Sequence, residues 1–245
     1  MKRILSLLAT LIICAAMLAG CSGEASFSLA DLANPFIGEW QSEIPSANTT
    51  LKFNYKTDGT FEYEMAGVPA EQGGKGSGGY MVHNGIMVTW LDFEGAAAYT
   101  FEVKDNNTIN VTELEPNETG ALVPGNTAPF TRVEGSSVIK DGTLKVSNIS
   151  IGKWDCTIWG DGWEIPYKME FKTDGTFIFD GEGEIGSGIS VVYGNYIVMY
   201  TFGHNELGTF SFEENDSETL IVTQFTANKN GERVAGDTAR FVRVK

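Results

Sequence analysis

The side chains most often used for nucleophilic or metal chemistry are scarce in this sequence of 245 residues. It contains three cysteines and two histidines. Of the cysteines, only Cys156 lies beyond position 21. A catalytic cysteine needs a base beside it, and neither His83, next to a predicted turn, nor His204, in a predicted loop, stands in a recognisable nucleophile motif. We therefore interpret Cys156 as a packed or partly exposed thiol. We predict no enzyme activity, no catalytic residue, no metal site, no cofactor and no intramolecular disulfide after position 21.

Aromatic side chains are the second group that could do chemistry, by recognition rather than by reaction. Trp159 and Trp163 lie among glycines and acidic residues in the segment from Thr157 to Glu164. Such a segment can contact a ligand, a sugar or a protein partner. Trp90 and Tyr200 lie near the ends of predicted strands and could line the mouth of a binding site. For all four residues, filling of the core is the alternative.

The first residues carry a different signal, which concerns location. Lys2 and Arg3 precede an apolar run that ends in Leu18-Ala19-Gly20-Cys21. This pattern resembles the lipobox of bacterial lipoprotein signals. The resemblance implies a signal peptide over residues 1–20, a lipid anchor such as a palmitate chain on Cys21, and a tether over residues 21–34. It also implies an extracytoplasmic body held at the cell envelope. Ser22 after the cysteine favours the outer membrane of a two-membrane bacterium.

The charge of the chain limits the class of partner. The formal net charge is −15 at pH 7, and no stretch of the sequence forms a basic stripe. An acidic surface repels the phosphate backbone of nucleic acids. We therefore predict that nucleic acid is not a partner, and we interpret the acidic residues mainly as a solvated surface.

Internal repetition determines the predicted domain organisation. Four short motifs recur in the same order in two halves of the chain. The longest is the identical pair Lys56–Phe61 and Lys172–Phe177. The others are Ile37–Trp40 with Ile151–Trp154, Gly76–Gly78 with Gly186–Gly188, and Phe130–Val133 with Phe241–Val244. This predicts one domain over residues 35–133, a linker over 134–147 and a second domain over 148–245.

Each half has the pattern of antiparallel β-strands. Leu51, Phe53 and Tyr55 alternate with polar residues, which is typical of a strand with one buried face. Asp58-Gly59 and Asn84-Gly85 are strong hairpin signals, because these residue types tolerate positive φ. The pattern continues through about eight short strands per half with almost no helical signal. The predicted fold class is therefore all-β, as two tandem up-and-down barrels, since closure removes exposed sheet edges.

Two pairs of motifs in these predicted barrels resemble a known family. Gly38-Glu39-Trp40 and Gly152-Lys153-Trp154 resemble the Gly-x-Trp motif on the first strand of lipocalins. Arg132 and Arg243, on the predicted last strands, resemble the lipocalin arginine that packs across that tryptophan. The resemblance implies calycin-type barrels and places the segment of Trp159 and Trp163 over an open mouth.

Together these observations predict a lipid-anchored, non-enzymatic protein of the cell envelope. It would bind a small apolar or amphipathic ligand through its lipocalin-like barrels. The alternative is a structural or protein-interaction module, with barrels filled by their own side chains and loops displayed to an envelope or host protein.

Overall fold

The computed structural model describes most of the two predicted domains. The described residues are 34–44, 48–91, 95–118, 121–136, 148–160, 163–181, 183–216, 218–227 and 233–245. The predicted signal peptide, Cys21, nearly all of the tether and most of the predicted linker lie outside them.

The first barrel consists of eight antiparallel strands in sequential order, closed by pairing of the first strand with the last. The strands are β1 (Gly38–Ile44), β2 (Thr49–Tyr55), β3 (Thr60–Met65), β4 (Lys75–His83), β5 (Ile86–Leu91), β6 (Gly95–Asp105), β7 (Thr108–Pro116) and β8 (Leu122–Arg132). A short 3-10 helix, Ala70–Gln72, interrupts the connection between β3 and β4.

The second barrel repeats this topology and is closed in the same way. Its strands are β9 (Gly152–Gly160), β10 (Trp163–Phe171), β11 (Thr176–Gly181), β12 (Glu184–Tyr193), β13 (Tyr196–Thr201), β14 (Glu206–Asp216), β15 (Thr219–Ala227) and β16 (Arg233–Arg243). The prediction of an all-β protein with two closed eight-stranded antiparallel barrels in tandem is confirmed.

The hairpin turns form where the sequence predicts them, with one difference in backbone conformation. Asn84 and Gly85 both have positive φ, at 49° and 79°, as expected of an Asn-Gly turn. In the Asp58-Gly59 turn only Gly59 has positive φ, at 82°. The Asp58 side chain instead accepts hydrogen bonds from the Thr60 backbone nitrogen (2.9 Å) and hydroxyl (2.6 Å). The bond from the Thr60 hydroxyl holds the pKa of this carboxyl below its usual value.

A tryptophan and an arginine stack at one end of each barrel, although Arg243 donates from Nη1 and Nη2 to the Ile151 and Ile149 carbonyls and Arg132 donates from Nε to the Asn106 carbonyl. The Arg132 guanidinium lies 4.3 Å from the ring centroid of Trp40, and Arg243 lies 4.2 Å from that of Trp154. Both indole nitrogens donate hydrogen bonds of 2.6 Å to a backbone carbonyl four residues earlier. At Gly152, where φ is 127°, an added Cβ would lie 2.7 Å from Nη1 of Arg243. In the second barrel, glycine at this position therefore lets the arginine lie over the indole ring.

The residue that supplies this carbonyl differs between the two barrels, and the difference changes how the closed end is filled. In the first barrel it is Phe36, whose side chain is fully buried. Its ring packs against Tyr55, Phe101 and Phe130 with centroid distances of 5.6, 5.0 and 6.4 Å. In the second barrel it is Ser150. The first barrel thus has an aromatic ring in its closed end where the second has a hydroxyl group.

The two barrels pack against each other through equivalent strands, β4 and β5 on β12 and β13. Trp90 stacks on Tyr196 with ring centroids 4.5 Å apart, and the hydroxyls of Ser77 and Tyr193 are 2.8 Å apart. At Gly79 an added Cβ would lie 2.7 Å from Cγ1 of Val191, so glycine allows this close approach. The interface therefore uses corresponding strands of the two repeats.

We predict that Phe36→Ala lowers the free energy of unfolding by about 3–5 kcal/mol, because it removes a fully buried ring with aromatic neighbours on several sides. Ser150→Ala, at the equivalent position, should cost about 1 kcal/mol, the value of one lost hydrogen bond to Asn148. Urea denaturation of both variants measures the difference. Equal losses would contradict this account of the closed ends.

Candidate functional site

The interior of the second barrel contains a cavity of about 190 Å³. Every strand from β9 to β16 except β12 contributes a lining residue. The apolar part of the lining comprises Cys156, Ile158, Met169, Phe171, Phe177, Phe179, Ile197, Met199, Phe210, Val222, Ala239 and Phe241. A concave, mainly apolar space with a few polar groups is the usual form of a small-molecule site. This cavity is the candidate functional site.

One residue of the lining differs in kind from its equivalent in the first barrel. The cavity is lined by Met169 where the first barrel has Phe53. The Phe53 ring stacks on Tyr55 at 5.6 Å and on Phe130 at 5.0 Å, and so covers the floor of the first barrel.

A tyrosine adds to the filling of the first barrel. Tyr80 is buried, packs edge-on against Tyr55 at 4.8 Å and donates a hydrogen bond to the Lys56 carbonyl. The equivalent residue of the second barrel is Ser190, which bonds to the carbonyl of Gly175. With Phe36 and Ser150, three rings of the first barrel are thus replaced by smaller or more flexible side chains in the second.

The polar residues of the lining lie toward the end of the barrel opposite Trp154. They are Tyr167, Thr201, Gln224, Asp237 and Thr238. Thr201 is the last residue of β13, and Asp237 and Thr238 lie in the first half of β16, so the topology places them toward the same end. The cavity therefore has an apolar floor and a polar mouth.

Cys156 contributes to the wall of the cavity. Its side chain is 2% exposed, and the thiol lies 3.8 Å from the Trp154 carbonyl oxygen. Burial, with the nearby Asp155 charge as a smaller cause, raises the pKa of the thiol well above its usual value. The thiolate that a nucleophile needs is therefore scarce at neutral pH, in line with the interpretation of Cys156 as a packed residue.

Trp159 and Trp163 flank the turn between β9 and β10. Trp159 pairs with Glu164 on β10 and with Thr238 on β16, and Trp163 pairs with Gly160. Their backbones thus lie at the polar mouth of the second barrel, beside Thr238 of the cavity. Their side chains lie outside the described part of the structure, and their role in binding stays a prediction.

Trp90 and Tyr200 occupy packed positions rather than a mouth. Trp90 is 2% exposed and Tyr200 is 3% exposed, and both lie on the outer faces of β5 and β13 in the interface between the barrels. They do not line the cavity. Of the two predictions for these residues, burial in a packed core agrees with the structure and a mouth position does not. These strands are buried on both faces, so alternation does not indicate which face points into the barrel.

His83 also belongs to the interface rather than to an exposed turn. It is half-buried, and its ring stacks on Phe202 of the second barrel with centroids 5.9 Å apart. His204 is exposed between β13 and β14. Among the described residues, no group of three histidine, cysteine or acidic side chains is placed to hold a metal ion. Within the same residues, no helix is both long and apolar enough to cross a membrane.

Comparisons with known proteins add little to this geometry. No protein-family model matches the chain, and no curated protein shows a significant match. Among solved structures, a DUF3598 family protein of unknown function from Nostoc punctiforme is 13% identical with a TM-score of 0.27, over 85% of this chain and 96% of that one.

Two solved glycoside-acting enzymes are similarly distant. A family 43 glycoside hydrolase from Bacillus licheniformis is 13% identical over 84% of this chain, with a TM-score of 0.26. An endo-1,5-alpha-L-arabinanase from Thermotoga petrophila is 14% identical over 85% of this chain, with a TM-score of 0.24. The matches span 54% and 55% of those enzymes. Likeness at these TM-scores carries no argument about fold or activity.

We predict that Cys156 reacts with a thiol reagent far more slowly in the native protein than in the unfolded chain. The reason is that it is buried and protonated in the cavity wall. Labelling rates with and without guanidinium measure this, and a Cys156→Ser variant corrects for labelling at Cys14 and Cys21. Equal native and unfolded rates would contradict the placement of the thiol.

Proposed function

We propose that the protein binds a small, mainly apolar molecule inside the second barrel. The observation that carries the proposal is the cavity of about 190 Å³ with aromatic and methionine walls and polar groups at one end only. Burial of apolar ligand surface would supply the affinity, and the polar mouth would orient the ligand. This use of the barrel interior is the one that the resemblance to lipocalins implies.

The volume limits the size of the ligand. An engineered protein cavity of about 150 Å³ holds benzene, so the space here suits one ring with a short substituent. The methionines Met169 and Met199 lie in the wall, and methionine side chains adapt readily to different shapes.

Binding rather than catalysis is the activity that we propose. Asp237 is the single carboxylate among the described residues that line the cavity, so these offer no carboxylate pair for acid-base chemistry. The Cys156 thiol is held in its protonated form by burial.

The first barrel has a structural role in this proposal. Phe36, Phe53 and Tyr80 fill its closed half with packed rings. Its β4 and β5 cover the outer faces of β12 and β13 of the second barrel. It would thereby hold one wall of the binding barrel in place.

We predict that Val222→Phe weakens binding of the neutral probe 2-phenylethanol at least about tenfold, or 1.4 kcal/mol. Val222 is buried and lines the cavity, so the added ring would take the place of the ligand. Calorimetric titration measures the affinity, and circular dichroism verifies that the variant folds.

Ile221→Phe is the matched control, because its neighbouring position on β15 faces outward, paired with Glu213 and Arg240. It should leave the affinity within about twofold of the native value, since Ile221, unlike Val222, does not line the cavity. Unchanged binding in Val222→Phe, or no binding of the probe to the native protein, would refute the proposed site. The structural or protein-interaction module would then be the better account.

We further propose that Cys21 carries a lipid that anchors the protein at the cell envelope. The basis is the Leu18-Ala19-Gly20-Cys21 motif after a basic and apolar stretch. The described body begins at residue 34, so about a dozen residues would separate the membrane surface from the first barrel, a reach of a few tens of Å.

Cys21→Ser should abolish metabolic labelling with an alkyne analogue of palmitate and release the protein from the membrane fraction, since the acyl chains provide the attachment. Cys156→Ser should retain both the label and the attachment. Labelling that persists in Cys21→Ser would contradict the anchor.

A further inference from the structure

One carboxylate at the mouth of the cavity stands in an unusual backbone position. The pairing of β15 with β16 shifts between Thr223 and Phe225, so Gln224 alone lies opposite both Gly236 and Asp237. This is a β-bulge, a device that re-aims a side chain and is frequent at the rims of barrels and beside functional sites. Asp237 continues the inward alternation of Phe241 and Ala239, so it lines the cavity at the point where the bulge begins, with Thr238 beside it.

The first barrel has the same bulge with a different residue in it. The pairing of β7 with β8 shifts between Thr112 and Leu114, which places Gly125 and Asn126 at the positions of Gly236 and Asp237. The Asn126 amide lies 3.4 Å from Oε1 of Glu115. An amide is therefore compatible with this backbone. The carboxylate at the bulge position itself belongs to the second barrel, whereas in the first barrel Glu113 stands at the position of Gln224.

The charges around Asp237 favour a positively charged ligand. No lysine or arginine is found among the described residues that line the cavity, and the whole chain has a net charge of −15. A carboxylate ligand would face Asp237 without a compensating cation, which is unfavourable. An ammonium group would gain a charge-assisted hydrogen bond. Rings such as Phe179 and Phe210 in the wall would also favour a cation.

We infer that the ligand of the second barrel is a small aromatic or apolar amine, with its ammonium group at Asp237 and its apolar part on the cavity floor. The inference rests on the proposed function and adds to it the charge of the ligand. Gln224 and Thr238 can accept or donate further hydrogen bonds at the mouth.

Three probes of nearly equal size test the inference: 2-phenylethylamine, 2-phenylethanol and phenylacetate. The native protein should bind the amine about fivefold more tightly than the alcohol, the size expected of a partly exposed ion pair. Phenylacetate should bind more weakly than the alcohol. The preference for the amine should shrink as salt is added, because ions screen an interaction at the mouth.

Asp237→Asn, which introduces the residue found in the first barrel, should lower the affinity for the amine to that for the alcohol. It should leave the affinity for the alcohol within about twofold of the native value. Asp237→Glu should keep the preference. Asp180→Asn removes the same charge from the exposed surface of β11 and should leave the order of the three probes unchanged.

The outcomes separate this inference from the proposed function. If phenylacetate binds as well as the amine, or if the preference persists in Asp237→Asn, the assignment of an amine is overturned while the cavity remains a binding site. If none of the three probes binds the folded native protein, the proposed function itself is overturned, and the inference with it.

Discussion

The closure of each sheet into an eight-stranded barrel is the constraint on which the rest of the structure depends. Closure pairs the first strand of each sheet with the last, and it directs alternate side chains into an interior of limited width. The Trp40–Arg132 and Trp154–Arg243 pairs then cover one end of each barrel. With the backbone and one end fixed in this way, the volumes of the inward side chains decide whether the interior of a barrel is filled or contains a cavity.

The two repeats differ in the side chains at their closed ends. The first places Phe36, Phe53 and Tyr80 in its closed half, and the second has Ser150, Met169 and Ser190 at the equivalent positions. Of these three, Met169 lines the cavity of the second barrel, whose floor is formed by Phe171, Phe177 and Phe241. A filled barrel gains stability from buried area, and a partly empty one gives up some packing for the ability to bind. The shared interface through β4, β5, β12 and β13 lets the first barrel support the second.

Much of this fold follows from the sequence. The collinear motifs predict the tandem repeat, and the period-two alternation and the Asn84-Gly85 turn predict the strands. The resemblance of Gly-x-Trp and the arginine to lipocalin motifs implies the stacking of arginine on tryptophan. The faces of β5 and β13 could not be assigned, because the interface buries the outer side of these strands as well as the inner side, which is why both a core and a mouth position stayed open for Trp90 and Tyr200. The cavity could not be predicted in this way, because its presence depends on the combined volume of side chains that meet inside the barrel from different strands. Only the strand register shows that Met169 is equivalent to Phe53, or that Asp237 lies beside a bulge at the mouth.

The central claim is that a small molecule lies inside the second barrel. Anomalous diffraction from crystals soaked with 2-(4-bromophenyl)ethanol would test it most directly. The account predicts a bromine peak within the second barrel, against Met169, Phe177 and Phe241, with the hydroxyl toward Gln224 and Asp237. A second barrel packed solid by its own side chains, with bromine only on the outer surface, would contradict it.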